Sequence, residues 1–522
     1  MPATVPTASS LNAGRRATDL AALKNDPRVD VLVIGAGVTG AGAALDAASR
    51  GLSTVLVERD DLAFGTSRWS SKLVHGGLRY LAKGQLGIAY ESARERDLLM
   101  RVTAPHLVRP LPMVIPIHRD MGALRTLFVR SGTGVGDLLR RAVRTPDHVL
   151  PGPRTLNARQ TLRLLPGVDR EGLLGGILSF DGQLVDDARL VVGLARTAAR
   201  EGARVLTRCS AEKVTADGAV LRDELTGTLL RLRPRAVVNA TGVHADTLDP
   251  TVRLSPSRGT HLVLDGATMG DPKAALTVPL PGSWSRFVFA LPQPCGRVFA
   301  GLTDEPLDGP APRVPEAPEE DVDFLLRQFN RVLGTKIGPK EVLGTYAGVR
   351  PLVYKVGGGT GADLSREHVI VESGDGMVTV VGGKLTTYRA MAEEAVDRAI
   401  AVSGLRARPC RTRALPLVGA APQEELDAVQ APRDLIDRYG TEAPAVMAEA
   451  DGEPNLLHPL VRGTTGAELR FGARHEGALN ISDLLERRTR VALIAEEGKA
   501  AEAAATEALT AVGGAVAHKN RG

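Results

Sequence analysis

Three groups of residues in this chain have types and spacings suited to chemistry. The first is the run from Val31 to Glu58, VLVIGAGVTGAGAALDAASRGLSTVLVE. In it an apolar strand enters a glycine turn, a small-residue helix follows, and a second strand ends in an acid. Gly35 allows the tight turn, Gly37 lets backbone N–H groups approach a pyrophosphate, and Gly40 lets the helix lie against the sheet. Ala36, Val38 and Thr39 complete the turn, whose N–H groups sit at the positive end of a helix dipole. Glu58 stands where a carboxylate can accept a ribose hydroxyl. The pattern predicts a dinucleotide cradle and leaves open which dinucleotide fills it. The second group is TVVGG followed by Lys384, Leu385, Thr386 and Thr387. This second glycine turn onto a helix either offers N–H groups to negative charge on a cofactor ring or, through Gly382 and Gly383, only lets strand meet helix. The third group is the cations Arg79, Arg350 and Lys384, each beyond a glycine-containing turn, with His75 and His261 as candidate proton acceptors. Cations among small and apolar neighbours are costly unless they meet an anion, and arginine grips phosphate or carboxylate in fork geometry. His75 reads first as a turn residue, and His261 is open between a structural and a catalytic role.

The elements that must position these groups are legible in outline. At 522 residues, with 43% hydrophobic and 24% charged residues, the chain has room for two or three domains. No run of about 18 apolar residues is present, so no spanning helix is expected. Residues 1–28 lack an apolar block and read as a mobile tail. Cys209, Cys295 and Cys410 are scattered and form no C-x-x-C pair, which argues against a zinc site or a disulfide framework and suits a reducing cytoplasm. No metal site is expected. The net charge of +5 is mild and aromatics are only 3%, too few to stack on bases, so nucleic-acid binding is disfavoured. A basic surface can still favour an anionic membrane face or a phosphorylated substrate. A helix is expected over 86–102 and an edge strand with prolines over 106–118. Residues 119–144, with six arginines among leucines, read as a helical hairpin broken at SGTGVG or as a basic membrane contact. Asp186 and Asp187 cap a helix. Antiparallel strands fill 257–304, a helix spans 321–333, and from about 404 the chain is helical.

The quoted segments, together with TSRWSSKLVHGGLRYL, VDDARL, NATG, GLTD, YAGVRPL and GGKLTTYR in that order, resemble the FAD-dependent, respiratory glycerol-3-phosphate dehydrogenases from about Asp30 to the helical tail. SSKLVHGGLRYL and GGKLTTYR are the most specific of them. The resemblance implies an α/β fold: an FAD-binding Rossmann-like domain of the D-amino-acid oxidase type (29–105, 180–255 and 340–403), an antiparallel-sheet substrate domain (106–179 and 256–339) and a C-terminal helical domain (404–522). It implies FAD on Gly35, Ala36, Gly37, Val38, Thr39, Gly40, Glu58, Ser67, Ser70, Ser71, Val214, Gly242, Gly383, Lys384, Leu385 and Thr386. Tyr80, Thr303, Arg366, Arg79 and Arg350 would meet the substrate, with Arg350, Lys384, His261 and Arg79 catalytic. The implied reaction takes sn-glycerol 3-phosphate to dihydroxyacetone phosphate and sends electrons to a membrane quinone. The implied location is cytoplasmic, peripheral on the inner face of the cell membrane, and a homodimer is compatible with it. Alternatives are an oxygen-using glycerol-3-phosphate oxidase, an FAD amine or amino-acid oxidase, and a non-catalytic flavin-binding protein. The set Arg79, Arg350 and Lys384 argues for phosphate over a lone carboxylate. His244 stands where relatives usually carry tryptophan, and Leu302 where they carry the first threonine of GTTD.

Overall fold

A computed structural model describes residues 5–76, 85–215, 218–283, 286–353, 368–374 and 376–513. The elements that meet at the site are, in chain order, β1 (Arg28–Ile34), α1 (Val38–Ser49), β2 (Thr54–Val57), α2 (Leu86–Leu98), α3 (Ala123–Ala142), α4 (Asp187–Arg200), β3 (Leu229–Asn239), β4 (Ser257–Asp265), β5 (Val342–Arg350), β6 (Val378–Gly382) and α5 (Tyr388–Ser403).

One sheet runs Arg204–Leu206, β2, β1, β3, β6, His368–Glu372, parallel but for the last pairing. Ile34 registers with both Val57 and Asn239, so the strands end together at one edge, where an open α/β sheet keeps its ligand crevice. Both faces must be covered, and the strands read as near-continuous apolar runs for that reason. Small side chains of α1 let α4 and α5 close over one face. The other face buries Leu32, Ile34, Val55 and Val57 against the Cys209–Thr215 and Gly218–Asp223 hairpin and an N-terminal helix, Ala13–Asn25. That helix corrects the expected tail. Asn12 caps it, Leu23 is fully buried, and Arg16 reaches the Thr207 carbonyl and Asp223.

The second sheet is mostly antiparallel and includes β4, β5, Val108–His118 and Leu173–Leu184. Val108–His118 is an interior strand, not an edge. It pairs along its length with Leu173–Leu184, while on its other side only Met113 and Val114 pair with Ala275 and Leu276, so Pro110, Pro112 and Pro116 cost no ladder bond there. The anticipated hairpin over 119–144 is one helix, α3, running through Gly132, Gly134 and Gly136 because none of the three takes a left-handed conformation. Asp186 caps α4 through the N–H groups of Ala188 and Arg189, as expected. The C-terminal region is helical, from Gln423–Asp427 to Ala495–Ala511, with one small hairpin. It is joined to the first sheet's rim by Asp61, which is fully buried and accepts from Arg487 Nε at 2.6 Å and both Arg488 Nη atoms at 2.8 and 2.9 Å. Burial would raise that carboxyl, and the two guanidinium groups hold it well below its usual range.

Candidate active site

The nucleotide end is built by sterics. A Cβ on Gly40 would lie 1.8 Å from the Gly35 carbonyl oxygen, so α1 can start this close to β1 only with glycine there. Gly35 has φ +98° and lies under the Ala240 carbonyl, which a Cβ would approach to 2.7 Å. Gly37 stands at the N-cap of α1 and makes no side-chain cap itself. The Val38 N–H donates instead to Ser67 Oγ at 2.8 Å, which brings the segment after β2 against the helix start. Glu58 at the end of β2 accepts from Ala36 N–H at 2.8 Å and Asp60 N–H at 2.9 Å. Enclosure pushes its carboxyl up to about 7 against those two bonds, with Asp60 and Asp61 adding to the rise. Across the rim, Gly242 has φ +62° and open space where a Cβ would be. A left-handed glycine, a helix N-terminus whose N-cap residue is a glycine, and an acid at the strand end together fit a dinucleotide pyrophosphate and its ribose. Val214 sits in the Cys209–Thr215 strand, half-buried on the apolar cluster beneath the sheet.

The chain then crosses from one sheet to the other through residues 66–74. Thr66 Oγ1 donates to the Val349 carbonyl at 2.6 Å, and a Cβ on Gly348 would strike Trp69 at 2.8 Å, so the crossing lies tight on β5. Ser70 gives both its N–H (2.9 Å) and its Oγ (2.7 Å) to Asp187 Oδ2, which also takes Lys72 Nζ at 2.9 Å. Lys72 is 2% exposed, and burial pushes it down to about 8 despite Asp187. Lys72 escaped the sequence reading, and Asp187, expected there as part of the helix cap, is instead the partner of Ser70 and Lys72. The signal for Lys72 was a cation inside SSKLVH. Ser71 Oγ meets His261 Nε2 at 2.9 Å.

On β4 and β5, Ser257 pairs with Arg350, Gly259 with Gly348 and His261 with Tyr346, so these six share one face. The central glycine pair leaves a trough in it. Arg350 lies in the trough, since a Cβ on Gly259 would come within 2.2 Å of its Nη2. Its Nη1 donates to Asp304 Oδ1 at 2.9 Å and Ser257 Oγ at 3.2 Å, and Nη2 to the Thr303 carbonyl at 3.0 Å. The Thr303 hydroxyl is committed elsewhere, accepting from Thr260 N–H at 2.9 Å and donating to Asp321 at 3.1 Å. His261 is 1% exposed and stacks on Tyr346 with ring centroids 4.6 Å apart. Burial, with Lys72 and Arg350 nearby, pushes its imidazole down to about 3, so it is neutral at pH 7. Its Nδ1 has no hydrogen-bond partner among the described residues.

The second glycine turn follows β6. Gly383, at φ +72°, leaves no room for a Cβ beside Met391 and His368. Lys384 Nζ donates to Ser92 Oγ of α2 at 2.7 Å, and Leu385, Thr386 and Thr387 form a short turn into α5. Arg79, Tyr80 and Arg366 lie outside the described residues. Among the described residues there is no cluster of metal-ligating side chains.

Comparison with known proteins agrees with this architecture. The sequence model described as "FAD dependent oxidoreductase" matches residues 30–389, and that of the "C-terminal domain of alpha-glycerophosphate oxidase" matches 410–518. The chain is 49% identical over 517 residues to "Glycerol-3-phosphate dehydrogenase 1" of Mycobacterium tuberculosis, covering 97% of this chain and 99% of the relative. It is 35% identical to "Glycerol-3-phosphate dehydrogenase, mitochondrial" of Mesocricetus auratus, covering 92% of this chain and 70% of that one. The crystal structure of the glycerol-3-phosphate dehydrogenase from Bacillus halodurans complexed with FAD superposes with a TM-score of 0.75 at 27% identity, over 96% and 94% of the two chains. The L-alpha-glycerophosphate oxidase from Mycoplasma pneumoniae, solved with FAD bound, shares the fold at a TM-score of 0.56 and 17% identity over 75% of this chain and 99% of that one.

Proposed function

This chain belongs to the FAD-dependent oxidoreductases of the glycerol-3-phosphate dehydrogenase family and takes FAD as its cofactor, and from that premise we propose that it oxidises sn-glycerol 3-phosphate at C2 to dihydroxyacetone phosphate and hands the electrons to a membrane quinone. The observation that carries the substrate is Arg350: a guanidinium braced from behind by Asp304 and the Thr303 carbonyl, near enough to a neutral histidine to depress its basicity.

In this reading Arg350 grips the phosphate, joined by Arg79 and Tyr80 of SSKLVHGGLRYL and by Arg366, while Thr303 contributes through its carbonyl by fixing the guanidinium. Several cations suit a dianion because each charge-assisted bond is about twice as strong as a neutral one. The cradle of Gly35, Gly37, Gly40 and Glu58 holds the dinucleotide, and FAD, when bound, supplies a two-electron acceptor. We take His261 as the base for the C2 hydroxyl proton, at Nδ1, with Nε2–H held on Ser71 Oγ; Nδ1 is enclosed, so the substrate must displace what covers it to reach the ring. A dianion on Arg350 offsets one of the positive charges that hold the imidazole down, so the base strengthens when substrate arrives. Lys384 favours developing alkoxide character at the substrate oxygen.

The membrane part of the proposal is supported by α3, where Leu127 and Leu138 are 61% and 66% exposed on one face with exposed Arg141 one turn on, and by exposed Leu86 and Tyr90 on α2, which contacts α3. Among the described residues no helix is long and apolar enough to cross a membrane; the contact we propose is a peripheral one on the inner face of the cell membrane. Oxygen is the rival acceptor, favoured by the match of residues 410–518 to an oxidase domain. Anaerobic mixing of the FAD-loaded protein with sn-glycerol 3-phosphate is expected to bleach the flavin, and a quinone analogue to restore its colour faster than oxygen does. No bleaching in folded, FAD-bound protein sinks the substrate reading, and stoichiometric peroxide with an idle quinone sinks the acceptor.

A further inference from the structure

Helix α2 turns a row of polar side chains inward. Ser92, Glu95 and Arg96 stand at i, i+3 and i+4, one face of a helix, and all three are buried. An acid and a base buried within one turn are costly unless each meets a partner. Glu95 accepts Nε and Nη2 of Arg389, both at 2.7 Å. Arg96 donates to Asp181 Oδ1 at 2.5 Å, and the same oxygen takes the Gly76 N–H at 3.0 Å. Ser92 accepts Lys384 Nζ at 2.7 Å. Gly76 belongs to SSKLVHGGLRYL, and Lys384 and Arg389 belong to GGKLTTYR. One helical face therefore ties together the two motifs that carry the cations.

We propose that Ser92 is a positioning residue for the reaction, fixing the ammonium of Lys384 through its hydroxyl oxygen. The inference rests on the reading above that Lys384 serves the flavin and substrate. The direction of the bond is determined: Ser92 Oγ–H is spent on the Ile88 carbonyl at 2.7 Å, so its oxygen can only accept from Lys384. A lysine is a point charge on a flexible four-carbon stem, and what it does for a reacting centre depends on where that charge is held. Ser92 has no surface of its own to offer substrate, being fully enclosed. Its effect must run through Lys384 and scale with the displacement of that charge.

A cycle in the FAD-loaded enzyme separates this role from mere packing. The variants are Ser92→Ala, Ser92→Thr, Lys384→Met and the double Ser92→Ala/Lys384→Met. Each is checked for FAD content and thermal midpoint, then titrated with sulfite, which adds to oxidised flavin more tightly when positive charge is near. Kinetics with sn-glycerol 3-phosphate follow. Ser92→Ala should raise the sulfite Kd and lower kcat by about fivefold to tenfold each, somewhat less than the full worth of one hydrogen bond to a charged group because the effect is relayed through Lys384, with KM changed less than about twofold. Ser92→Thr, which keeps the oxygen, should recover most of both losses. In the Lys384→Met background Ser92→Ala should add nothing. An unchanged sulfite Kd in Ser92→Ala while Lys384→Met shifts it, or an undiminished Ser92→Ala loss on top of Lys384→Met, overturns the positioning role. No sulfite response to Lys384→Met overturns the underlying reading of Lys384 and this inference with it.

Discussion

FAD affinity should depend on pH, with Glu58 as the cause. The carboxyl accepts two backbone N–H bonds, yet enclosure and the neighbouring Asp60 and Asp61 bring it up to about 7 in the free protein. A ribose hydroxyl donating to Glu58 favours the anion, so the bound state has the lower pKa, cofactor uptake releases a proton, and affinity rises with pH. A group titrating near 7 is ionised in about one molecule in eleven at pH 6 and about ten in eleven at pH 8, so if the anion alone is binding-competent the apparent Kd falls about tenfold across that interval. Titrating apoprotein with FAD and following flavin fluorescence at pH 6, 7 and 8 reads this directly. Calorimetry at pH 7 in two buffers of different ionisation enthalpy should find about half a proton released per FAD. Glu58→Gln cannot ionise, so its Kd should be flat with pH and about tenfold or more weaker than the wild type at pH 8, the cost of a lost charge-assisted bond. A wild-type Kd that is flat between pH 6 and 8, or a Glu58→Gln variant that keeps the slope, would refute the assignment of Glu58 to the ribose.

Three further outcomes are expected. Arg350→Ala should cut kcat/KM for sn-glycerol 3-phosphate by about 10²–10³, from the loss of hydrogen bonds to a charged group, while FAD content holds. Because Arg350 helps hold His261 down, the acid limb of the pH–rate profile should also move to higher pH in that variant. His106 and His261 are buried neutral, each pushed down to about 3, the former by burial and Arg189. Their contribution is fully present above the unfolded value near 6.5 and is lost as pH falls toward 3. Urea unfolding should therefore show a loss of about 3 kcal/mol between pH 6.5 and 5 from the pair, the slope rising toward about 1.4 kcal/mol per pH unit each at the lower end, and His106→Gln should halve that slope. Asp61→Asn leaves the fully buried Arg488 guanidinium without its carboxylate, while Arg487 keeps Asp483 and Glu486, which should cost about 3–5 kcal/mol in denaturant unfolding and loosen FAD, since Glu58 and Ser67 flank that residue on the chain.

The cradle was legible because its constraints are local: a Cβ at Gly35 or Gly40 collides with backbone a few residues away or on the next strand, and no distant partner can relieve it. The N-cap at Asp186 was legible for the same reason. Pairings between distant segments were not. Nothing near His261 in SRGTHLVL announces Ser71, and nothing near Thr303 announces Asp321, which occupies its hydroxyl. Ser92 was hidden inside a helix expected only as a helix over 86–102. Its signal was a serine, a glutamate and an arginine at i, i+3 and i+4, all buried on one face. Three glycines in SGTGVG read as a helix break, yet each costs only about 1 kcal/mol inside a helix and none is forced into a turn.

The basic composition misleads for a related reason. A pI of 9.2 invites a reading of positive surface, but Arg68, Arg196, Arg487 and Arg488 are among the largest fully buried side chains. They are spent on Glu486, Glu442 and Asp61 across domain boundaries. Guanidinium suits that role, being weakly hydrated and able to satisfy several acceptors in one plane. Net charge counts these groups as though they faced solvent. In the membrane contact proposed for α3, the charge on exposed Arg141 would be screened within about 8 Å at physiological salt, so Leu127 and Leu138 would have to supply the salt-resistant part of that binding.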